Sequence, residues 1–512
     1  MRGRSLLAHV LVPALLCLTA TALVAAPPTD LRTRMDGWVE KNQQAVVREL
    51  VEVLSIPNVA ADTANIRKNA EWLRGALAKR GFTAQVLETV GNPLVFGEMT
   101  VPGAARTMLF YAHYDGQPVD AKRWKQPTPW TPILRGGRME EGGAEMPNGL
   151  IAVAFNPASR IYARSASDDK SPFVALMAAL DALKASNIRL TSNVKVVLEG
   201  EEEAGSTSLV PAIAKYRDRL RADVMYILDG PVHPSERPTV VYGARGIQTI
   251  QLTVYGPKMG LHSGHYGNWV ANPAMRLAQL LATMKDDQGR VTLAGFYDGI
   301  APVTGEEQAL VDGVPDDAAA LQKLFGIAGP ERPGMSLQEA LQVPTLNVRG
   351  LASAYIGGDA RTIIPDRAIA EIDIRLVKET PSSRMRTLVR DHLVKQGWFV
   401  VDREPTDVER AAHAKIVRMA AADGTEAFRT SPLLPIAKQT VAALTATFGE
   451  PPVQIRTSGG TVPIAAFIDA LGFPAVMLPI VNFDNNQHGE NENLRVGHFF
   501  RGITTFAAVL TM

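Results

Sequence analysis

Three acids, Glu201, Glu202 and Glu203, follow an apolar stretch in VKVVLEGEEEAGS (194–206). The apolar residues ahead of them predict a strand that is buried on both faces, which is typical of a parallel sheet. In open α/β sheets, ligands bind at the carboxyl ends of the strands, which is where these acids fall. A solvated acidic loop is the ordinary alternative. A functional site is favoured over it only if other reactive side chains also lie at strand ends.

Two more apolar runs end in side chains that can bind metals or protons. LFYAHYDG (109–116) places His113 at a predicted strand end and Asp115 two residues later, and VMYILDGP ends another strand at Asp229. At the first spacing, the carboxylate can reach the far nitrogen of a metal-bound imidazole. Taken singly, a His-x-Asp spacing after a strand is common by chance, and Asp229 ahead of a glycine is an ordinary turn residue. Together with the acid run, they favour one crevice in one α/β domain.

Two loops contain further candidates. Asp168 and Asp169 stand just before a predicted helix in RIYARSASDDKSPF, where the helix dipole and free N–H groups favour carboxylates. Helix capping explains one aspartate better than it explains Asp-Asp-Lys. His488 lies in the polar loop NFDNNQHGENEN, ahead of the last predicted helix. A surface histidine is its ordinary interpretation.

These residue types are suited to binding divalent metal ions and activating water. Two histidines with several carboxylates and no thiol suit zinc, manganese or cobalt, and suffice for two ions that share one carboxylate. Such a pair lowers the pKa of a shared water towards about 7 and polarises a carbonyl. An uncoordinated carboxylate can then move the proton of that water to a leaving amine. Glu202 beside Glu203 offers one base and one ligand.

Composition narrows the class of protein. The chain has 512 residues, long enough for at least two domains, and a formal net charge of +1. It has no basic patch interleaved with aromatic residues, so neither nucleic acid nor an anionic membrane is the expected partner.

The first 26 residues predict a secretory signal peptide, because they combine Arg2 and Arg4 with an apolar stretch and small residues up to Ala26. The protein is therefore expected to be exported, either periplasmic or secreted. A retained membrane anchor is the alternative, since the apolar stretch approaches spanning length. The single cysteine, Cys17, lies in this segment. The mature chain then has no disulfide and no thiolate ligand.

Strands that alternate with helices predict an α/β fold with a mixed, largely parallel sheet. Near residue 245 the pattern changes to half-exposed strands, which predicts an inserted α+β domain. A long acidic, Gly/Pro-containing connector lies within it, at about 290–345. The predicted organisation is a signal peptide at 1–26, a catalytic domain at 27–244, an inserted lid and dimerisation domain at 245–382, and a return to the catalytic domain at 383–512.

The motifs resemble one family. H-x-D, a loop ending in Asp-Asp-Lys, an acid run ending in Gly-Ser, a strand-end acid and a late histidine occur in this order in the di-zinc peptidases. That family contains carboxypeptidase G, succinyl-diaminopimelate desuccinylase, aminoacylase and the carnosinases. The carnosinase and cytosolic non-specific dipeptidase branch is the most similar, through LEGEEEAGS, YGARGI, LHSGHYG, RTIIPDR, IDIRLV, RTSGGTVP and QHGENE.

The resemblance implies roles. Asp168 would bridge two divalent ions, zinc first and manganese or cobalt as alternatives, one held also by His113 and Asp229, the other by Glu203 and His488. Glu202 would be the general base and Asp115 would orient His113, while Glu201 is left as a loop residue. His262 would reach across a homodimer interface to the oxyanion. The residues expected to bind substrate are Arg375, Thr362, Gly460 and Thr461.

Two departures from the family pattern bear on specificity. Relatives usually read G-R-G-x-x-D-D-K-G, whereas this chain has Ala163-Arg164-Ser165 and Ser171, so Ala163, Ser165 and Ser171 replace glycines. Residues 135–160 also form a longer Gly-rich connection than expected. The leading hypothesis is a di-metal hydrolase of dipeptides with a free C-terminal carboxylate. An N-acyl amino acid deacylase or a glutamate-type carboxypeptidase is the enzymatic alternative. A catalytically silent binding protein is the third, which the intact ligand set disfavours.

Overall fold

The computed structural model describes residues 30–152 and 154–512. The predicted signal peptide therefore lies outside the described residues. None of the helices in the described part of the chain combines the length and apolar character needed to cross a membrane.

The elements follow in chain order. The α-helices are α1 Asp30–Leu54, α2 Thr63–Lys79, α3 Lys170–Ala185, α4 Leu209–Leu220, α5 Ser263–Tyr266, α6 Pro273–Ala282, α7 Gly305–Asp312, α8 Ala318–Phe325, α9 Leu337–Ala340, α10 Ser382–Lys395, α11 Asp407–Ala412, α12 Pro435–Phe448, α13 Ala465–Leu471 and α14 Val496–Leu510. Short 3-10 turns are Ala121–Arg123, Met139–Glu141, Gly149–Ile151, Glu202–Ala204 and Gly357–Asp359.

The strands are β1 Thr83–Leu87, β2 Leu94–Met99, β3 Thr107–His113, β4 Ile133–Arg135, β5 Arg160–Tyr162, β6 Asn193–Glu199, β7 Val224–Ile227, β8 Thr239–Val241, β9 Gly243–Ala244, β10 Gly246–Tyr255, β11 Leu261–His262, β12 Thr345–Ser353, β13 Ile363–Ile364, β14 Arg367–Leu376, β15 Phe399–Val401, β16 Ile416–Ala421, β17 Phe428–Arg429, β18 Val453–Ile455, β19 Ala475–Met477 and β20 Asn493–Arg495.

An eight-stranded sheet forms the centre of the first domain, in the order β1-β2-β6-β3-β7-β19-β8-β18. The middle strands β6, β3, β7 and β19 run parallel, while β1 and β2 form an antiparallel pair at one edge. Along β3, Phe110 faces one apolar core and Tyr111 faces the other. The first core holds α1, α2, α3 and α14, and the second holds α4 and α13. The sheet is therefore covered on both faces, as the apolar strands predict.

The second sheet has five strands in the order β12-β14-β10-β16-β15. Strand β10 alternates between buried and half-buried residues at first, and its buried side packs against α6 and α10. The connector predicted over 290–345 contains three short helices, α7, α8 and α9.

The boundary predicted at residue 382 is wrong. Helix α10 places Met385, Val389 and Leu393 in the core of the five-stranded sheet, and β16 pairs with β10 over 250–254. The second domain therefore continues to about residue 421 before the chain returns to the eight-stranded sheet through α12. The apolar stripe of α10 looks the same in either domain, so its sequence does not reveal which sheet it covers.

A neighbouring pair of residues in α10 tests this correction. Leu393 is buried and Val394 is 56% exposed. Leu393→Ala should lower the free energy of unfolding by about 2–5 kcal/mol through loss of buried methyl groups. Val394→Ala should change it by no more than about 0.5 kcal/mol. Hydrogen exchange should become faster in β10, β14 and β16 of the Leu393 variant. Faster exchange confined to the eight-stranded sheet would contradict the revised boundary.

Candidate metal centre

The parallel register of three strands brings the predicted ligands to one edge of the sheet. In β3, His113 pairs with Glu199 of β6, and Tyr111 pairs with Ile227 of β7. The acid run after β6 and Asp229 after β7 therefore leave the sheet beside His113. This is the carboxyl edge at which α/β sheets bind ligands.

Side chains of the types that can bind metal ions form two groups here. His113, Asp169 and Asp229 make one, and Asp168, Glu203 and His488 make the other. Within each group one ligand atom per residue lies within 4.8 Å of the others.

Asp168 joins the two groups. Its Oδ1 lies 2.9 Å from His113 Nε2 and its Oδ2 lies 3.2 Å from His488 Nε2. All five ligands that the resemblance implied therefore come together, with the shared carboxylate between the two histidines.

Asp169 is a member of the cluster that sequence reasoning did not name as a ligand. Its Oδ2 accepts a hydrogen bond from the His113 N–H at 3.3 Å. Its Oδ1 is buried and has no hydrogen-bond partner among the described residues. Burial, and after it the neighbouring Asp229, raises the pKa of Asp169 well above its usual value. An unpartnered buried carboxylate oxygen is costly in the absence of a cation.

Asp115 contacts three residues of the cluster at once, Glu202, Glu203 and His113. Its two carboxylate oxygens accept the backbone N–H groups of Glu202 and Glu203, each at 3.0 Å. Its Oδ1 also lies 3.5 Å from Nδ1 of His113, the nitrogen opposite Asp168. Since Asp115 is fully buried, this network fixes the orientation of the imidazole and of the acid run together.

The carboxyl groups are buried and lie close to one another, and both effects shift their pKa values. Burial raises the pKa of Glu202 well above its usual value, and repulsion from Asp229 adds to the effect. Burial likewise raises the pKa of Glu203 to about 7 and that of Asp229 to about 6. Asp168 differs: burial acts to raise its pKa, but hydrogen bonds from the two histidines hold it below its usual value. Bound cations would stabilise the ionised form of every one of these groups.

The donor set fits divalent metal ions. It consists of two imidazoles and several carboxylates and includes no thiolate, a combination that suits zinc, manganese or cobalt. The unpartnered oxygen of Asp169 is a ready ligand within it.

Glu201 and Glu199 have other functions. Glu201 is buried and accepts hydrogen bonds from the backbone of Asn92 and from the hydroxyl of Thr207. Glu201 thus closes the loop around the acid run. Glu199 accepts a hydrogen bond from Tyr111 at 2.6 Å behind the cluster, and burial raises its pKa to about 7.

The residues expected to bind substrate lie partly at the seam between the two sheets. Arg375 Nη1 of β14 donates to the Thr461 hydroxyl at 2.8 Å, so the second domain contacts the turn that contains Gly460. His262 and Thr362 are both exposed, in or next to the β11–β13 pair. His262 Nδ1 accepts the N–H of Gly264 at 3.0 Å. In the single chain, His262 belongs to neither of the two metal groups found among the described residues.

Two neighbours of the site were missed from the sequence. Gln117 Nε2 donates to Glu203 at 2.6 Å, and no motif signalled it. Arg245 is 6% exposed and donates to the carbonyl of Val343. Burial, and then repulsion from Arg375, lowers the pKa of Arg245 to about 10. Its position inside the YGARGI motif was the available signal.

The long connection at 135–160 meets the loop of His488. It begins in β4, which pairs with β5 to form part of a three-stranded sheet with β20. From the described part of this segment, Glu140 accepts a hydrogen bond from Asn486 at 3.3 Å, two residues from His488.

Comparison with known proteins identifies the family. The profile described as peptidase family M20/M25/M40 matches residues 109–512. The chain belongs to this family. The Cys-Gly metallodipeptidase dug1 of Schizosaccharomyces pombe is 25% identical over 486 residues, which cover 91% of this chain and 95% of that protein. The Beta-Ala-His dipeptidase of Homo sapiens is 28% identical over 426 residues, which cover 81% and 76%.

A solved structure agrees with this assignment. The M20 family metallo-carboxypeptidase Sso-CP2 from Sulfolobus solfataricus superposes with a TM-score of 0.73 and 30% sequence identity, over 91% of this chain and 98% of that one. The resemblance stated from the motifs is confirmed, as are the α/β fold and the assignment to the metallopeptidases. The silent binding protein is thereby set aside.

The raised pKa values of Glu203 and Asp229 predict that metal binding releases protons. At pH 6 much of Glu203 and about half of Asp229 should be protonated, because their pKa values are near 7 and 6. A bound dication displaces these protons, so apparent affinity should rise with pH by about tenfold per unit for each proton released. Calorimetric titration of chelator-stripped protein with Zn²⁺, in buffers of different ionisation enthalpy, measures the release. Asp229→Asn should release fewer protons at pH 6, and heats independent of the buffer would contradict the prediction.

Proposed function

We propose that the protein hydrolyses the amide bond of dipeptides that carry a free C-terminal carboxylate. The observation that carries this proposal is the place of Asp168, whose two oxygens contact one histidine from each ligand group. Each ligand group could hold one divalent cation, and Glu202 directly precedes Glu203 of the second group. The dipeptidase names of the fungal and human relatives support the choice of substrate.

Two divalent ions would be held here, with zinc first and manganese or cobalt as alternatives. The residues that would hold them are His113, Asp168, Glu203, Asp229 and His488, and Asp169 lies in the same group as His113 and Asp229. When bound, they supply an activated water and a polarised scissile carbonyl.

Glu202 moves the proton. Its carboxylate takes a proton from the attacking water as the water oxygen bonds to the carbonyl carbon. It then gives that proton to the amine nitrogen as the C–N bond breaks. Burial raises the pKa of Glu202 above its usual value, which favours the protonated form that it takes between the two transfers. Asp115 keeps the Glu202 backbone in place during both transfers.

Arg375 binds the other end of the substrate in this proposal. A guanidinium can hold a carboxylate through two parallel hydrogen bonds. Thr461 already accepts one N–H of Arg375, and Gly460 beside it leaves the turn open to solvent. Thr362 would contact the substrate from the second domain.

A carboxypeptidase activity is the second candidate, favoured by the 30% identity to Sso-CP2. An N-acyl amino acid deacylase uses the same chemistry. The values of kcat/KM on matched dipeptides, N-acyl amino acids and acylated glutamates separate the three. A preference of at least tenfold for dipeptides is expected, and a preference for either other class would replace the leading proposal.

Export and dimerisation complete the proposal. The basic and apolar start of the chain supports export to the periplasm or the medium, and a mature amino terminus at Pro27 would test it. The exposed position of His262 supports a homodimer formed through the second domain, in which a partner's His262 completes the site. Full activity in a monomer would remove that role.

Glu202→Gln tests the base. The amide cannot accept the proton, so kcat should fall by about 10²–10⁴-fold while bound metal, measured by elemental analysis, stays unchanged. Glu98→Gln, at the half-buried end of β2, is the control and should leave kcat as it is. Turnover of the Glu202 variant within threefold of the wild type would rule out this mechanism.

Arg375→Met tests the carboxylate contact. Loss of a charge-assisted pair should raise KM for dipeptides about 10–100-fold, with a smaller effect on kcat. C-terminally amidated dipeptides, which lack the charge, should be hydrolysed equally by variant and wild type. Arg367→Met, at the exposed start of the same strand, is the matched control. An equal loss on acid and amide substrates would show that Arg375 does not recognise the carboxylate.

A further inference from the structure

Glu492 is the last residue of the QHGENE stretch and has no part in the chemistry above. It is fully buried, and five donors converge on its carboxylate. Oε1 accepts the N–H groups of Ser167 and Asp168 and the Ser167 hydroxyl, at 2.8, 2.9 and 2.9 Å. Oε2 accepts the Ser165 N–H at 2.9 Å and Arg164 Nη1 at 2.8 Å. One side chain therefore fixes the backbone that leads into the shared ligand Asp168.

The same side chain connects the two loops of the metal centre. Glu492 precedes β20, which pairs with β5, and its carbonyl accepts the N–H of Ala163 at 3.2 Å. Arg164, held by the Glu492 carboxylate, donates its Nη2 to the carbonyl of Gly489 at 3.1 Å. Gly489 directly follows His488, so the loops of Asp168 and His488 share this one ion pair.

Stability alone explains this arrangement poorly. Arg164 and Glu492 are 2% and 0% exposed, and an ion pair so deeply buried often contributes no more to stability than apolar residues of similar volume. All five donors to the Glu492 carboxylate nevertheless come from residues 164–168, the segment that leads into Asp168. Such pairs are suited to fixing a conformation, and the partners of metal ligands tune metal affinity in the same way.

Two serines of the Asp168 loop belong to this network, and one of them, Ser165, stands where relatives usually have glycine. The hydroxyl of Ser165 accepts a hydrogen bond from Asn58 at 2.8 Å, and the hydroxyl of Ser167 donates to Glu492. At Ser165 the loop thus gains a side-chain contact where relatives usually have glycine.

We propose that Glu492, with Arg164, is a positioning residue that sets the Asp168 carboxylate between His113 and His488. It acts through Asp168 and His488 and touches neither substrate nor the reacting atoms. The inference rests on the proposed metal centre, but it does not depend on which amide is cleaved.

The chain offers a matched control, the ion pair of Arg160 and Asp484. It lies on the same β5–β20 side, at 2.7 Å, with side chains 4% and 12% exposed. Asp484 contacts Arg160, Asn482 and Arg495, and no hydrogen bond links it to residues 164–168. A merely structural role for Glu492 would make the two pairs equivalent.

Glu492→Gln and Asp484→Asn are compared in the full-length mature protein stripped of metal. Each is titrated with Zn²⁺ by calorimetry, and its unfolding temperature is recorded. Glu492→Gln should weaken Zn²⁺ binding by about 10–100-fold. In the Zn²⁺-saturated protein it should lower kcat with KM within threefold of the wild type. Asp484→Asn should bind Zn²⁺ like the wild type, even if its unfolding temperature falls by as much as that of Glu492→Gln.

Ser167→Ala removes a single hydroxyl donor and keeps the test decisive if Glu492→Gln does not fold. It should weaken Zn²⁺ binding in the same direction but by less. Unchanged Zn²⁺ affinity in the folded Glu492 or Ser167 variant, or equal weakening in Asp484→Asn, would overturn the proposal. A wild type that binds Zn²⁺ but cleaves no dipeptide would contradict the proposed substrate alone.

Discussion

The structure depends on a concentration of buried carboxyl groups at the carboxyl edge of the eight-stranded sheet. Burial raises the pKa of Asp169, Glu202, Glu203 and Asp229, since each would lose solvation and meet like charges if it ionised. Asp168 alone keeps a lowered pKa, because two imidazoles donate to it. Only added positive charge lets the whole set ionise together. The fold thus builds an environment that favours divalent cations, and catalysis follows from their presence.

Two kinds of element position this cluster. Parallel strands deliver His113, the Glu202 loop and Asp229 to one place by register, with little dependence on loop conformation. Asp168 and His488 come from loops far apart in the chain, which need separate support. The buried pair of Arg164 and Glu492 supplies that support from behind the site.

Much of this could be predicted from the sequence. Strand-end residues such as His113 and Asp229 were recognisable because apolar runs mark strands and parallel strands share one edge. Asp169 was not assigned as a ligand, because the resemblance implied only Asp168 and helix capping accounts for one aspartate of the pair. Glu492 was overlooked because an acid in a polar loop is ordinarily solvated. Strand β16 was assigned to the wrong domain, since its pairing with β10 joins residues more than 160 positions apart. No local pattern encodes that pairing.

The most direct test of the account is anomalous diffraction from crystals of the protein loaded with Zn²⁺. Two adjacent peaks per chain are predicted, one beside His113 and Asp229 and the other beside Glu203 and His488, with the Asp168 carboxylate between them. A single peak, or peaks away from these side chains, would contradict the claim that the buried carboxyl cluster is a two-metal centre.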